Sequence, residues 1–390
     1  MSGREGASVE WLPAGFRAAA ATAGLKDSGA PDLALVVNDG PLDAAAGVFT
    51  ANRVKAAPVL WSQQVLQAGQ VDAVVLNSGG ANACTGPDGF GDTHRTAEAV
   101  ADALGTGAAR VAVCSTGLIG VRLPMDRLLP GVVQAAAALS AHGGAPAADA
   151  IRTTDTVAKT AVAPADGWSV GGMAKGAAML APALATMLAV VVTDAVADPA
   201  VLDEVLRTAT AGSFDRVDTD GCMSTNDTVL LLASGASGVE PSRDELQCAV
   251  GAVCADLARQ MVRDAEGASK DIAVEVVGAA SVGDALEAAR AVGRSNLLKC
   301  ALHGNDPNWG RVLAAVGTTA AAFEPDQLDV AINGVQVCRA GAPGDPRELV
   351  DLSGRDVHLV VDLHAGPHEA TLWTSDLTAE YVHENSAYST

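Results

Sequence analysis

Three short segments combine residue types that a plain scaffold does not require. Val113-Cys114-Ser115-Thr116-Gly117 ends an apolar run in Ser-Thr-Gly, a place where backbone N–H groups and a hydroxyl can face developing negative charge. Gly171-Gly172-Met173-Ala174-Lys175-Gly176 sets a lysine among small residues, ahead of 17 residues without charge (Gly176 to Val192). Ala185-Thr186-Met187 puts a threonine at the mouth of a hydrophobic stretch, after Pro182. Taken singly, each also fits ordinary structure: a strand-to-loop junction, a solvated lysine at a turn, a β-branched residue filling a strand. Six lysines stand against 19 arginines, so each lysine is informative.

The Gly-rich stretch Asn77-Ser78-Gly79-Gly80-Ala81-Asn82-Ala83-Cys84-Thr85-Gly86 follows an apolar run, as a nucleotide loop would. It lacks both the GxGxxG spacing and the GK[ST] ending of phosphate loops, and reads as a loop that holds substrate or backbone by hydrogen bonds. Seven cysteines (84, 114, 222, 248, 254, 300, 338) form no CxxC pair and no interleaving with histidine. Reduced thiols of a cytosolic protein are expected, with no metal and no cofactor. His364 and His368 flank Gly366-Pro367 and read as residues of a turn.

The elements that must position these groups follow from composition and periodicity. In 390 residues, 25 Lys+Arg against 46 Asp+Glu give a net charge of −21, and 49% of residues are hydrophobic. That supplies a large core and excludes a disordered chain, while the mean field disfavours binding to nucleic acid or anionic lipid and favours a small cationic substrate. Aromatics are only 3%, so the core must pack on Ala, Val and Leu. Arg4, Glu5 and Glu10 interrupt what a signal peptide would need. The apolar window before Asp194 is too short and too Ala-rich for a membrane span.

Leu33–Val37, Ala73–Leu76, Arg110–Cys114, Met187–Thr193, Asp227–Ala233 and Ile272–Val277 read as strands. Asp92–Leu104, Met125–Ser140, Asp198–Ala209, Ser242–Asp264 and Ser281–Val292 read as helices. Two hairpin-like units are expected at Leu328–Val337, turning at Asn333-Gly334, and at His358–Thr374, turning at Ala365–Pro367. The fold class is α/β (α+β), with residues 1–280 as a main α/β catalytic domain and 281–390 as a smaller C-terminal α+β domain.

Taken together, the segments resemble the ornithine acetyltransferase / glutamate N-acetyltransferase family of arginine biosynthesis. Lys175 to Leu188 resembles the family's self-cleavage region. The Gly-rich stretch, Cys114 to Gly120, Thr153-Thr154-Asp155-Thr156, Ser224-Thr225-Asn226-Asp227-Thr228, Asp264-Ala265-Glu266-Gly267, Gly304 to Arg311 and Glu384 to Thr390 match in order, essentially end to end.

The resemblance implies a precursor that cuts itself at Ala185–Thr186, giving an α chain 1–185 and a β chain 186–390, in a fold of mixed sheets covered by helices. Thr186 would attack the preceding carbonyl. Once cut, its α-amine, with an ordinary pKa of about 7.7–8.0, can act as base for its own hydroxyl. Acetyl would pass from N2-acetyl-L-ornithine to Thr186 and then to L-glutamate. Thr116 and Gly117 are implied as the oxyanion hole, and Thr153, Lys175, Thr186, Glu266, Asn385 and Thr390 as substrate contacts. Lys175 suits a carboxylate and Glu266 an ammonium. An α2β2 assembly is ordinary for such enzymes. Acetyl-CoA as a second donor, an N-terminal-Thr amidohydrolase or aminopeptidase, and a non-catalytic binding protein remain alternatives.

Overall fold

The computed structural model describes residues 10–181 and 187–387. Three sheets hold the strands of these residues. The first orders β1 (Phe16–Ala21), β2 (Leu33–Asn38), β4 (Ala73–Ser78) and β5 (Val111–Thr116), antiparallel except for the parallel β4–β5 pair. The second orders β3 (Ala44–Phe49), β9 (Thr228–Ala233), β8 (Leu188–Thr193), β7 (Ser169–Lys175) and β6 (Lys159–Pro164). The third orders β13 (Ala342–Pro343), β12 (Val335–Arg339), β11 (Asp329–Ile332), β14 (Asp356–Asp362), β10 (Asp271–Ala279) and β15 (His368–Ser375).

The two-residue period of a strand explains how the first two sheets stack. Leu33, Leu35, Val75, Val111 and Val113 lie in one core with α2 (Gly86–Leu104) and α3 (Met125–Ala137). Their neighbours Ala34, Val36, Val74, Leu76, Ala112 and Cys114 lie in another, together with Met173, Leu188, Val190 and Val192 of the second sheet. The alternate residues Ala189 and Val191 pack with α5 (Pro199–Ala211) and α6 (Arg243–Arg263). Helices, sheet, sheet and helices therefore form four layers. Strands buried on both faces need apolar residues throughout, so these strands read as unbroken runs without polar alternation.

The remaining helices are α1 (Ala57–Val65), α4 (Gly144–Ala150), α7 (Val282–Gly293), α8 (Asn296–His303), α9 (Trp309–Val316) and α10 (Ala379–Ala387). Those from α7 to α9 pack on the third sheet around Ile272, Val274, Val330 and Leu359. Ser242 caps α6 with a full capping box, its hydroxyl accepting from the Glu245 N–H while Glu245 reaches back.

The mixed α/β class agrees with the sequence reading, and most expected elements are present within a few residues. The helix expected at Asp92 starts at Gly86, because Pro87 tolerates a first helical turn. One expected unit is corrected. β14 and β15 are not a hairpin: β10 lies between them, parallel to β14 and antiparallel to β15. By contrast, Asn333-Gly334 does turn β11 into its partner β12, with Asn333 at φ 47° and Gly334 at φ 82°.

Candidate active site

β5 and β7 belong to different stacked sheets, and their inter-sheet faces bring Thr116 and Lys175 together. Thr116 follows Ala112 and Cys114 on the inner face of β5, and Lys175 follows Met173 on that of β7. Both residues are 2% exposed, and Lys175 Nζ donates to Thr116 Oγ1 at 3.2 Å. Four of the six lysines are buried (Lys159, Lys175, Lys270 and Lys299), which makes Lys175 no solvated turn residue. Burial pulls the Lys175 ammonium below its usual pKa, opposed by the charge of Asp155 and reinforced by that of Lys159.

The Thr116 carbonyl accepts from the N–H groups of Gly79 at 2.9 Å and Gly80 at 3.0 Å, which joins the Gly-rich loop to the end of β5. Gly117 then turns away at φ 128°, and a Cβ there would stand 2.6 Å from the Gly80 nitrogen. Only glycine fits this close approach. The Gly-rich loop is fixed by Asn77 Nδ2, which donates to the Gly80 carbonyl at 3.0 Å, and by Asn226 Nδ2, which donates to the carbonyls of Ala81 (2.6 Å) and Ser115 (2.8 Å). It holds backbone by hydrogen bonds, as its sequence suggests.

Asp155 organises the other side of Lys175. Its Oδ1 accepts from Lys159 Nζ and from the Gly176 N–H, each at 2.6 Å, and its Oδ2 from the Thr153 N–H at 3.1 Å. Lys159 is fully buried and also reaches Asp264 at 2.6 Å. Burial alone would raise the Asp155 carboxyl, but the charges of Lys175 and Lys159 and the two hydrogen bonds bring it down to about 2. Thr153, Lys159 and Gly176 thus share one carboxylate, whose charge also acts on Lys175. Asp155 itself was matched in sequence only as part of a motif, and no role was assigned to it.

The Glu266 N–H donates to the Ala177 carbonyl at 2.9 Å, just past Lys175. Its carboxylate accepts from Asn385 Nδ2 at 2.8 Å, so α10 folds back over the same segment. Next to it lies a cavity of 340 Å³ whose lining includes Thr219, Asp220, Arg294, Lys299 and Tyr381. Thr219 donates its N–H to the Leu180 carbonyl at 2.6 Å and Asp220 accepts the Met179 N–H at 2.7 Å, so the cavity wall grips the chain leading to residue 181. Its size suits an amino-acid-sized molecule. The residue Asp227, fully buried, accepts the Met187 N–H at 3.1 Å. These cavity residues and Asp227 carry no local sequence signal beyond the matched motifs.

Ala185, Thr186 and Thr390 lie outside the described residues. What the described residues fix is the frame around Thr186: Lys175 is paired with Leu188 across the antiparallel β7–β8 register. Among the described residues, no group of three or more His, Cys, Asp or Glu side chains is placed to hold a metal ion, and no helix is long and apolar enough to cross a membrane. Gly167-Trp168-Ser169-Val170-Gly171 has the spacing of a hydrolase nucleophile turn, so the sequence expectation that no Gly-x-Ser-x-Gly pattern occurs is corrected. Ser169 instead opens β7, with its N–H bonded to Asp194 at 2.7 Å. The strand-to-helix turn that such a nucleophile needs is not there.

Comparison with known proteins follows the same lines. The chain is 69% identical over 375 residues to the arginine biosynthesis bifunctional protein ArgJ of Streptomyces coelicolor, covering 96% of this chain and 98% of that protein. The protein of the same description from Thermobifida fusca is 62% identical over 378 residues, covering 97% and 99%. A solved structure described as ornithine acetyltransferase complexed with ornithine, from Mycobacterium tuberculosis, is 65% identical with a TM-score of 0.43, covering 44% of this chain and 92% of that chain. A sequence model of the ArgJ family matches residues 17–390. A match that begins one residue after the start of β1 and runs to the final residue spans all three sheets, and the chain belongs to the ArgJ family.

Proposed function

We propose that this chain is an ornithine acetyltransferase, an acyltransferase of arginine biosynthesis that moves acetyl from N2-acetyl-L-ornithine to L-glutamate. The observation that carries the mechanism is the meeting of Lys175, Thr116 and Gly117 beside the two ends of the segment that contains Thr186. The Thr116 hydroxyl accepts from Lys175 and so keeps its own proton to donate. Together with the Gly117 N–H it can hold an oxyanion.

Two steps use that pair of donors. In the precursor, the Thr186 hydroxyl attacks the Ala185 carbonyl, the amide becomes an ester, and water opens it. In the cut enzyme the Thr186 α-amine takes the hydroxyl proton as the acetyl group arrives from acetylornithine, and ornithine leaves with its amine restored. Glutamate's amine then attacks the acetyl-Thr186 ester, and N-acetylglutamate departs. Thr153, Lys175, Glu266, Asn385 and Thr390 are the substrate contacts of this proposal. Glu266 and Asn385 are already hydrogen-bonded to each other beside Ala177.

The substrates are small molecules. An α2β2 assembly, a cytoplasmic location and a division into residues 1–280 and 281–390 complete the proposal, with β10 supplying a strand to the third sheet from the first of these. The relatives' description as bifunctional proteins favours a second donor, acetyl-CoA, for the same acetyl-Thr186 intermediate.

Denaturing electrophoresis with N-terminal sequencing tests the reading. Two bands near half of 39.0 kDa, one beginning Thr-Met-Leu, are expected from the parent chain, and one uncut band from Thr186→Ala. A Thr186→Ala protein that is still cut at this bond sinks the proposal. Assays with acetyl-CoA in place of acetylornithine decide whether there is one donor or two.

A further inference from the structure

Two matched segments each supply a substrate contact, Thr153 and Glu266, and each also holds an aspartate two residues away that has no part in the reaction above. These are Asp155 and Asp264, and one lysine reaches both. Lys159 opens β6 and has no exposed surface. Its Nζ donates to Asp155 Oδ1 and to Asp264 Oδ2, each at 2.6 Å, with the Val157 carbonyl as a third acceptor at 3.5 Å. The Asp155 side chain is fully buried as well, and that of Asp264 is 8% exposed.

The two carboxylates hold different stretches of chain. Asp155 takes the Gly176 N–H at 2.6 Å and the Thr153 N–H at 3.1 Å, which fixes the backbone immediately after Lys175. Asp264 stands at the C-terminal end of α6, where the helix dipole disfavours a negative charge. It is kept there by Lys159, by the Thr156 N–H at 3.0 Å and by the Thr156 hydroxyl. Two residues further on, the Glu266 N–H bonds the Ala177 carbonyl at 2.9 Å. Residues 175–177 and 264–266 are therefore joined twice, directly at Ala177 and again through the Asp155–Lys159–Asp264 bridge.

The second joint is made of charge, and this choice is informative. Desolvating three charges offsets most of what their attraction returns, so a buried triad adds little stability over well-packed apolar side chains. The best-attested use of such a group is to fix a register. Here the register is that of Lys175 against Glu266, two buried side chains of opposite charge that feel one another. A bound amino acid must meet both at once, so a shift of about 1 Å between them is enough to weaken the grip.

We propose that Lys159 is a positioning residue for substrate: by bridging Asp155 and Asp264 it sets the separation of Lys175 from Glu266. The inference rests on Lys175 and Glu266 being substrate contacts. Lys159 has no contact with substrate in this scheme, and self-cleavage, which needs no substrate, does not use the bridge.

Asp264→Asn cuts the bridge on one side and leaves Lys159 paired with Asp155, while Lys159→Met removes the ammonium and keeps the length. In the full chain, Asp264→Asn is expected to raise KM for acetylornithine and for glutamate about tenfold, with kcat within about threefold of the parent. Its self-cleavage rate should stay within about twofold of the parent, which a general loosening of the fold would not allow. Lys159→Met should raise both KM values at least as far. With the two changes combined, KM should match that of Lys159→Met within about twofold, because both break one bridge. Should Lys159→Met not fold, Asp264→Asn decides alone. Parent-like KM in Asp264→Asn overturns the proposal, and so does self-cleavage that slows in step with the rise in KM. Effects that multiply in the combined protein overturn it too. Lys175→Met and Glu266→Gln, assayed alongside, separate the two ideas. Parent-like KM in both removes the substrate-contact reading, whereas raised KM in these beside parent-like KM in Asp264→Asn removes the role of Lys159 alone.

Discussion

Lys175 donates to the hydroxyl of Thr116 across 3.2 Å, from one stacked sheet to the other. An ammonium in that position polarises the hydroxyl towards any oxyanion in front of it, and its own charge is held by Asp155 on the opposite side. Removing the hydroxyl should expose how much the site depends on it. Thr116→Ala is expected to slow both self-cleavage and acetyl transfer by about 10²–10³-fold, the usual effect of losing one oxyanion donor. Lys175→Met should slow them less, since the hydroxyl remains. Rates of band appearance on denaturing gels and steady-state kcat measure the two steps separately.

Gly117→Ala should act through backbone. The added Cβ meets the nitrogen of Gly80 at 2.6 Å and the carbonyl carbon of Gly79 at 2.9 Å, at a φ of 128° that other residues avoid. Relief requires the Gly79–Gly80 loop to leave the Thr116 carbonyl. A loss of about 1–3 kcal/mol in stability is expected, with slower self-cleavage. Thermal melting and the cleavage time course check both parts.

The buried charges predict a response to acid. The Asp155 carboxyl sits at about 2 in the fold against 3.8 for a free one. A group depressed in this way stabilises the fold fully above about pH 4 and loses its contribution as pH falls towards 2, on the order of 2 kcal/mol in all. Asp155→Asn should flatten this part of a Tm-against-pH series. At neutral pH it should also destabilise the protein by about 3–5 kcal/mol, because Lys159 and Lys175 stay buried with less compensation. An unchanged acid profile would assign the transition to other carboxylates.

Asn385 offers a test of substrate contact. It holds Glu266 from α10 through a bond of 2.8 Å. Asn385→Ala is expected to raise KM for acetylornithine several-fold, about tenfold at most, with a smaller change in kcat. Initial rates over a range of donor concentration decide it. Omitting glutamate from the same assay separates transfer from hydrolysis, since sustained turnover without an acceptor would make water the second substrate.

Legibility in the sequence followed the chemistry of each element. The strands built from Val and Leu, such as Leu33–Asn38 and Leu188–Thr193, announce themselves because burial on both faces leaves no polar residue before the last position. β1 (FRAAAA) and β3 (AAAGVF) do not, since alanine carries little strand preference and their burial comes from neighbours far along the chain. The β14–β15 unit misled for a related reason: the strand inserted between them lies some 80 residues upstream, and a turn sequence says nothing of a third strand. Thr116, Gly117 and Lys175 were legible as residues worth attention, and the resemblance gave them roles. That Lys175 addresses Thr116 was not legible, because it depends on two sheets facing each other. Asp155 and Asp227 gave no sign of their own, for an aspartate in a polar segment looks alike whether it is solvated or sealed in.

The strand ending at Lys175 and the strand starting at Leu188 are zipped in six register pairs, from Val170–Thr193 to Lys175–Leu188. Scission at 185/186 would therefore yield two polypeptides sutured along a shared seam, with β9 binding the second one from its far side. The daughters would have no separate native state, and neither should refold without its sister. Such stitching would leave the architecture on either side of the cut in place, so that a single peptide bond could be given up without the two chains parting.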